Sequence, residues 1–107
     1  PEMIALFQQL RRGKEIGYNS LVIVSGRSDQ VYDQTVDWLH KHNIMPDRLH
    51  MRREGDHRPD YKVKEEIFHM MVSQGHEILL AFDDRQQVVD MWRSNGIRCA
   101  QVAKGDF

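Results

Sequence analysis

The stretch Glu77-Ile-Leu-Leu-Ala-Phe-Asp-Asp-Arg-Gln-Gln-Val-Val-Asp-Met-Trp92 decides the fold of this chain. Its first part, Ile78 to Phe82, is an apolar run too short for a helix of its own, which predicts a strand. Two adjacent acids, Asp83 and Asp84, follow directly. The last part predicts a helix, because four apolar residues fall on one face at helical spacing: Val88, Val89, Met91 and Trp92. The stretch therefore predicts a strand, an acidic corner and a helix.

Two interpretations of the acidic corner follow from the residues. The carboxyl ends of parallel strands are where ligands bind in α/β sheets, and two neighbouring carboxylates repel each other unless a cation such as Mg²⁺ neutralises them. In the alternative interpretation, Asp83 ends the strand and caps the next helix, while Asp84 stabilises the positive end of that helix. The stretch by itself leaves both interpretations open.

The composition limits the classes of protein to consider. The chain has 107 residues, which predicts one domain spanning residues 1–107. Fifteen Lys and Arg residues nearly balance 16 Asp and Glu residues. The net charge of −1 therefore produces no overall electrostatic field that would attract or repel a polyanion. No apolar run is long enough to span a membrane and no signal peptide is recognisable, so we expect a cytoplasmic protein. The single cysteine, Cys99, excludes an intramolecular disulfide and is expected in the core.

Helices and strands alternate along the rest of the chain. Apolar spacing predicts helices over residues 2–12, from Ser28 to His42, and from Pro59 to about residue 74. Strands are predicted at residues 21–24, 48–51 and 97–102, the first of them buried on both faces. Trp38 and Trp92 lie on apolar stripes and are expected in the core. This alternation predicts an α/β fold with a parallel sheet covered on both faces.

Two further polar stretches are placed for chemistry. In Ser25-Gly26-Arg27, a hydroxyl, a glycine that allows close approach and a guanidinium follow a strand and precede a helix, a combination that suits a phosphate. The same tripeptide is also an ordinary turn with a solvated arginine. In the second stretch, Asp60 to Lys64, the lysine opens a helix where the helix dipole disfavours a cation. Such local conflicts tend to occur at functional sites.

The order of these stretches resembles the second, third and fourth motifs of the haloacid dehalogenase superfamily of phosphotransferases. The similarity is closest to the 3′-phosphatase domain of phage-type polynucleotide kinase-phosphatases and extends over almost the whole chain. Four runs carry it: Val22-Ile-Val-Ser-Gly-Arg27, Val63-Lys-Glu-Glu-Ile-Phe68, Asp83-Asp-Arg-Gln-Gln-Val-Val-Asp-Met-Trp92 and Gln101-Val-Ala-Lys-Gly-Asp-Phe107. The resemblance implies a Rossmann-like, three-layer parallel sheet of the haloacid dehalogenase type.

The resemblance also implies roles for individual residues in substrate binding and catalysis. Ser25 would hydrogen-bond the transferred phosphoryl group, with Gly26 beside it, and Arg27 would contact that group or the nucleic-acid strand. Lys64 would neutralise the phosphoryl oxygens. Asp60 matches a functional acid of this subfamily.

The resemblance implies a metal-dependent mechanism as well. Asp83 and Asp84 would hold Mg²⁺ directly or through water, while an aspartate attacks phosphorus to form an aspartyl-phosphate. That aspartate belongs to the family's first motif, Asp-x-Asp-x-Thr, which this sequence does not contain. We therefore expect this chain to be the C-terminal part of a larger protein, in which a kinase domain precedes it, and to be inactive by itself.

In the family, the first motif follows the central strand of the sheet, between the strands that end at Ser25 and Asp83. Its absence predicts that this strand is missing, which would leave two ladders of backbone groups unpaired. We consider three outcomes. A separate piece of the same protein supplies the strand, which we favour; a neighbouring chain supplies it in a homo-oligomer; or the two flanking strands pair directly.

The predicted function is that of a Mg²⁺-dependent polynucleotide 3′-phosphatase acting on DNA or RNA that ends in a 3′-phosphate. Six basic residues crowd the segment that leads into the third predicted helix and favour nucleic-acid contact, although acids between them also fit a solvated loop: Arg48, Arg52, Arg53, Arg58, Lys62 and Lys64. One alternative function is a small-molecule phosphatase of the same superfamily. The other is a non-catalytic module for assembly or nucleic-acid binding.

Overall fold

The computed structural model describes residues 20–105, and the side chains of residues 20–102. The helix predicted over residues 2–12 lies outside the described residues. Four strands and three α-helices follow one another within these described residues. They are β1 (Val22–Ser28), a 3₁₀ turn (Asp29–Val31), α1 (Tyr32–Lys41), β2 (Arg48–Arg52), α2 (Asp60–Ser73), β3 (Ala81–Arg85), α3 (Gln86–Ser94) and β4 (Cys99–Gly105).

The described strands form two parallel sheets of two strands each. β1 pairs with β2, and β3 pairs with β4. The chain correspondingly divides into two compact units, the first ending at Asp56 and the second beginning at His57. The predicted α/β class with parallel strands is thereby confirmed, whereas the three-layer sheet and the single domain stay predictions. Direct pairing of the two flanking strands is wrong for the described residues, because β1 and β3 belong to different sheets.

Both strands that carry candidate site residues differ in extent from the prediction. β1 continues through Ser25, Gly26 and Arg27, which were expected to form a turn. Its residues are half-buried rather than buried on both faces, except Arg27, which is exposed. The reason is that the pairing with β2 extends to Ser28, while β1 has one strand neighbour in the described sheet. The strand thus holds the Ser-Gly-Arg tripeptide in extended backbone.

β3 begins three residues later than predicted and includes both acids of the corner. Its ladder with β4 starts where Ala81 faces Cys99 and continues past Asp83. Leu79 and Leu80 precede the ladder and are 56 % and 47 % exposed. Apolar character alone therefore placed the strand too early, because pairing with β4 sets its limits.

The core of the second unit lies between α2, α3 and β4. The buried residues of this cluster are Phe68, Val88, Val89, Met91, Trp92 and Cys99. The predicted stripe of α3 and the core positions of Trp92 and Cys99 are confirmed. The rings of Phe68 and Trp92 pack edge to face with centroids 5.5 Å apart, a favoured aromatic geometry. Gly75 ends α2 with a φ of 90°, a left-handed conformation that favours glycine.

Trp38 in the first unit is a correction to the prediction. Its side chain is 46 % exposed, whereas Leu39 and Ile44 are buried. α1 turns the side that carries Thr35 and Leu39 inward, which leaves Trp38 at the margin of that face. The centroids of the Trp38 and His42 rings are 4.5 Å apart. No helix within residues 20–105 is long and apolar enough to cross a membrane.

Candidate active site

Asp83 forms the centre of the acidic corner at the carboxyl end of β3. Its side chain is buried, and Oδ1 accepts hydrogen bonds from the backbone N–H groups of Asp84, at 2.9 Å, and Arg85, at 3.2 Å. α3 begins only at Gln86 and has no side-chain cap. The interpretation of Asp83 as a helix cap is therefore wrong, because its hydrogen bonds stay within the end of the strand.

Lys64 lies between two carboxylates. Its Nζ is 3.1 Å from Oδ2 of Asp83 and 3.4 Å from Oδ2 of Asp60. Arg85 Nη1 lies 3.7 Å from the same Asp60 oxygen. The Lys64, Asp60 and Asp83 side chains are each only 11 % exposed, so these charges are held where water screens them little. Buried charges require such partners, and the four residues form a compact ionic cluster, which we call the Lys64 cluster.

The sequence of α2 explains how this cluster forms. Pro59 occupies the N-cap and Asp60 opens the helix, where its carboxylate interacts favourably with the helix dipole. Asp60 and Lys64 are four residues apart and therefore lie on the same face. Val63 and Phe68 are buried and fix the rotation of the helix. The unfavourable position of the lysine near a helix N-terminus is thus offset by two carboxylates.

Asp84 is half-buried, and its carboxylate makes no hydrogen bond or ion pair with any residue in the described part of the chain. Its backbone carbonyl accepts a hydrogen bond from Gln101 Nε2 at 3.2 Å. No group of three or more metal-ligating side chains occurs among residues 20–102. Mg²⁺ nevertheless needs only one or two carboxylates, because it retains several waters. The oxygen donors of Asp83 and Asp84 fit that requirement.

Ser25, Gly26 and Arg27 belong to the first unit. Ser25 Oγ accepts a hydrogen bond from the Arg27 N–H at 3.1 Å, so the hydroxyl hydrogen remains able to donate. The Arg27 side chain is exposed. Arg52 Nε donates to the Gly26 carbonyl at 2.8 Å, and its Nη1 donates to the Asp56 carbonyl at 3.0 Å. A guanidinium therefore fixes the backbone of the tripeptide.

The structure brings Asp60, Lys64 and Asp83 together, with Asp84 next in the chain. That this set meets Ser25 and its neighbours in one site stays a prediction. Sequence reasoning missed the individual contacts of Arg52, Arg85 and Gln101. No local sequence pattern signals these contacts, and two of them depend on the strand pairing, which places Arg52 opposite Ser28 and Gln101 opposite Asp83.

The basic residues of the segment from 48 to 64 are partly engaged within the chain. Arg58 Nη1 lies 2.6 Å from Glu66 Oε2, and Arg52 holds two backbone carbonyls. Lys64 is buried in its cluster. Contact between this segment and nucleic acid stays a prediction, and it would have to depend on the exposed residues Arg48, Arg53 and Lys62.

Cys99 neighbours the acidic corner but is a core residue. Burial raises the pKa of its thiol, and the negative charge of Asp83 raises it further. The thiol is therefore protonated at neutral pH. A protonated, buried thiol is a poor nucleophile.

The sequence is similar to a known family of protein domains. The profile described as "Polynucleotide kinase PNKP phosphatase domain" matches residues 2–107. The chain belongs to this family. The match covers the Lys64 cluster, the acidic corner and the Ser25 tripeptide.

Similar proteins include one viral protein and two solved structures. The "Putative bifunctional polynucleotide kinase/RNA ligase" of Autographa californica nuclear polyhedrosis virus is 34 % identical over 74 residues, which is 68 % of this chain and 11 % of that protein. A chain in "Structure of the Pnkp1/Rnl/Hen1 RNA repair complex" is 34 % identical with a TM-score of 0.89. One in "Structure of Pnkp1/Rnl/Hen1 complex" is 35 % identical with a TM-score of 0.88. This chain is covered to 96 % in both, and spans 33 % and 36 % of those chains.

Proposed function

We propose that this chain forms part of a Mg²⁺-dependent phosphatase that removes the terminal 3′-phosphate from a polynucleotide. The observation that carries the proposal is the buried lysine, Lys64, whose Nζ lies 3.1 Å from Asp83 at the carboxyl end of β3 and 3.4 Å from Asp60 at the start of α2. A fixed cation beside an acid pair is suited to stabilise the negative charge of a phosphoryl group in transfer. Membership of the phosphatase-domain family supports this assignment.

In this proposal each charged residue has a separate task. Asp83 and Asp84 hold Mg²⁺, which would supply Lewis-acid stabilisation of the phosphoryl oxygens when bound. Lys64 contributes a second positive charge, and Asp60 keeps its ammonium group in place through their ion pair. Arg85, near Asp60, adds a further positive charge to the cluster.

The tripeptide of the first unit would bind the substrate. The Ser25 hydroxyl retains a hydrogen to donate to a phosphoryl oxygen, Gly26 allows close approach, and the exposed Arg27 guanidinium can contact the phosphate or the adjacent strand. The nucleophile of the reaction would be the aspartate of an Asp-x-Asp-x-Thr motif. Residues 1–107 lack this motif. The activity is therefore proposed for the full-length polypeptide that carries this chain.

The names of the similar proteins favour RNA as the substrate. The viral relative is named a polynucleotide kinase/RNA ligase, and one solved structure is of an RNA repair complex. Removal of a 3′-phosphate leaves the 3′-hydroxyl that ligation of strands requires. We propose RNA with a 3′-phosphate as the substrate, and a kinase domain in the same polypeptide.

The test is phosphate release by the full-length polypeptide, with Mg²⁺ and with EDTA. The substrates are a short RNA, a DNA of the same sequence and a nucleoside 3′-monophosphate. The variant Asp83→Asn with Asp84→Asn should lose the Mg²⁺-dependent release, because both proposed metal-binding carboxylates become neutral. Asp37→Asn, an exposed acid on α1, is the matched control and should match wild type.

Each outcome distinguishes the proposal from an alternative. Equal rates on the monophosphate and the oligonucleotides would indicate a small-molecule phosphatase. No release from any substrate would indicate a non-catalytic module. An unchanged Mg²⁺ titration in the double variant would show that the metal is bound elsewhere.

A further inference from the structure

Gln101 on β4 connects helix α3 to the backbone of the acidic corner. Its Nε2 donates to the main-chain carbonyl of Asp84 at 3.2 Å and to Oε1 of Gln86 at 3.1 Å. Gln86 in turn donates from its Nε2 to Asp90 Oδ1 at 2.8 Å. A chain of amide hydrogen bonds therefore runs from the surface of α3 to the acid pair.

This contact occurs where the pairing of the two strands becomes irregular. Asp83 faces Gln101, and the next recorded pair is Arg85 with Gly105. Between those pairs β3 advances two residues (83 to 85) and β4 advances four (101 to 105). At such an irregularity the extra residues are left unpaired and the regular ladder is locally disrupted. The Gln101 side chain supplies a hydrogen-bond donor to the β3 backbone at this point.

The peptide group between Asp84 and Arg85 connects the Gln101 hydrogen bond to the acid pair. Gln101 holds the carbonyl end of this peptide, and the N–H end donates to Asp83 Oδ1 at 3.2 Å. Because a peptide group is planar and rigid, rotation of one end would rotate the other. Loss of the Gln101 contact would therefore loosen the Arg85 N–H contact, one of the three that orient the Asp83 carboxylate, and the backbone that carries Asp84, while the Asp84 N–H and Lys64 contacts remain.

We propose that Gln101 is a positioning residue for divalent-cation binding by Asp83 and Asp84. It acts through the Asp84–Arg85 peptide and does not touch the cation itself. The inference rests on the proposed function, since it requires that the acid pair bind Mg²⁺. Residues that orient metal ligands in this way typically change affinity by about 10–100-fold when they are replaced.

The test is the Mg²⁺ affinity of the full-length polypeptide, measured by isothermal titration calorimetry with Mg²⁺ alone. Gln101→Met keeps the length of the side chain and removes the donor, and should weaken binding at the acid pair about tenfold. The Mg²⁺ concentration for half-maximal phosphate release should rise by the same factor, while the rate at saturating Mg²⁺ recovers. Gln86→Met should change affinity in the same direction by a smaller factor.

Asn95 provides a matched control in the same unit. Its Nδ2 donates to the Met91 carbonyl and to Glu65 Oε2, both at 2.8 Å, so it too is an amide that joins a backbone carbonyl and a side chain. Asn95→Leu should lower the melting temperature about as much as Gln101→Met and leave Mg²⁺ affinity unchanged. Equal weakening in both variants would overturn the proposal, because it would reflect general destabilisation.

Two further results separate this inference from the proposed function. The variant Asp83→Asn with Asp84→Asn gives the background Mg²⁺ binding that remains when the acid pair is removed. If wild type binds Mg²⁺ above that background and Gln101→Met binds equally well, the role of Gln101 is wrong and the proposed function stands. If wild type and the double variant titrate alike, the proposed metal site is wrong, and the role of Gln101 with it.

Discussion

Replacement of Lys64 by methionine should destabilise the second unit strongly, although it removes only one ammonium group. The Lys64 side chain is 11 % exposed and neutralises two carboxylates that are exposed to the same small degree. Removing one partner of a buried ion pair leaves an uncompensated charge and costs about 3–5 kcal/mol. Arg85 remains 3.7 Å from Asp60, so we expect the lower end, about 3 kcal/mol in the free energy of unfolding.

The assay is urea unfolding followed by tryptophan fluorescence in the Trp38→Phe background. In this chain Trp92 then reports on the core of the second unit, in which it is buried. Lys62→Met is the control, because Lys62 is exposed on the same helix, and it should change stability by less than about 0.5 kcal/mol. Adding Asp83→Asn to Lys64→Met removes one of the two carboxylate charges that Lys64 neutralises, so the double variant should lose less than the sum of the single variants.

Two results would refute this reasoning. A loss of less than about 1 kcal/mol in Lys64→Met would mean that the cluster is solvated like a surface ion pair. Additivity of Lys64→Met and Asp83→Asn within about 0.5 kcal/mol would mean that the two side chains do not interact.

Two further predictions follow from the contacts around the site. Arg52→Lys should reduce the proposed 3′-phosphate release by the full-length polypeptide about tenfold, because lysine lacks the planar fork that holds the Gly26 and Asp56 carbonyls and displacement of a binding group is costly. Arg53→Lys, at an exposed neighbour, is the control, and equal rates in both variants would show that Arg52 does not position the tripeptide. Cys99 should react with iodoacetamide at pH 8 far more slowly in the folded chain than in urea. The reason is that burial raises the pKa of its thiol and so lowers the fraction present as thiolate. Similar rates in both states would contradict the raised pKa.

The sequence determined the order and type of most elements. Helical spacing alone identified the buried face of α3, since Val88, Val89 and Trp92 recur with the period of a helix. The spacing of Asp60 and Lys64 also encodes a shared face on α2, a relation not used in our predictions from the sequence, because four residues make about one turn. These features depend on local periodicity, which requires no knowledge of distant residues.

The tertiary structure decided which partner each polar residue has. Pairing with β4 moved the start of β3 to Ala81 and placed both acids inside the strand. Packing turned Trp38 outward, although its spacing on α1 predicted burial. Strand register and side-chain contacts join residues far apart in the chain, and no local pattern encodes them.

The same distinction between sequence and tertiary structure applies to the candidate site. Residue type and motif order were sufficient to identify Asp83, Asp84 and Lys64 as candidates. That Lys64 contacts Asp83 across 19 positions of sequence, and that Gln101 holds the Asp84 backbone across 17, follows only from how α2, β3 and β4 pack and pair. The sequence by itself therefore determined which groups carry the charge. The tertiary structure decided how those groups are held, because the contacts that orient them join different helices and strands and do not lie within a single element.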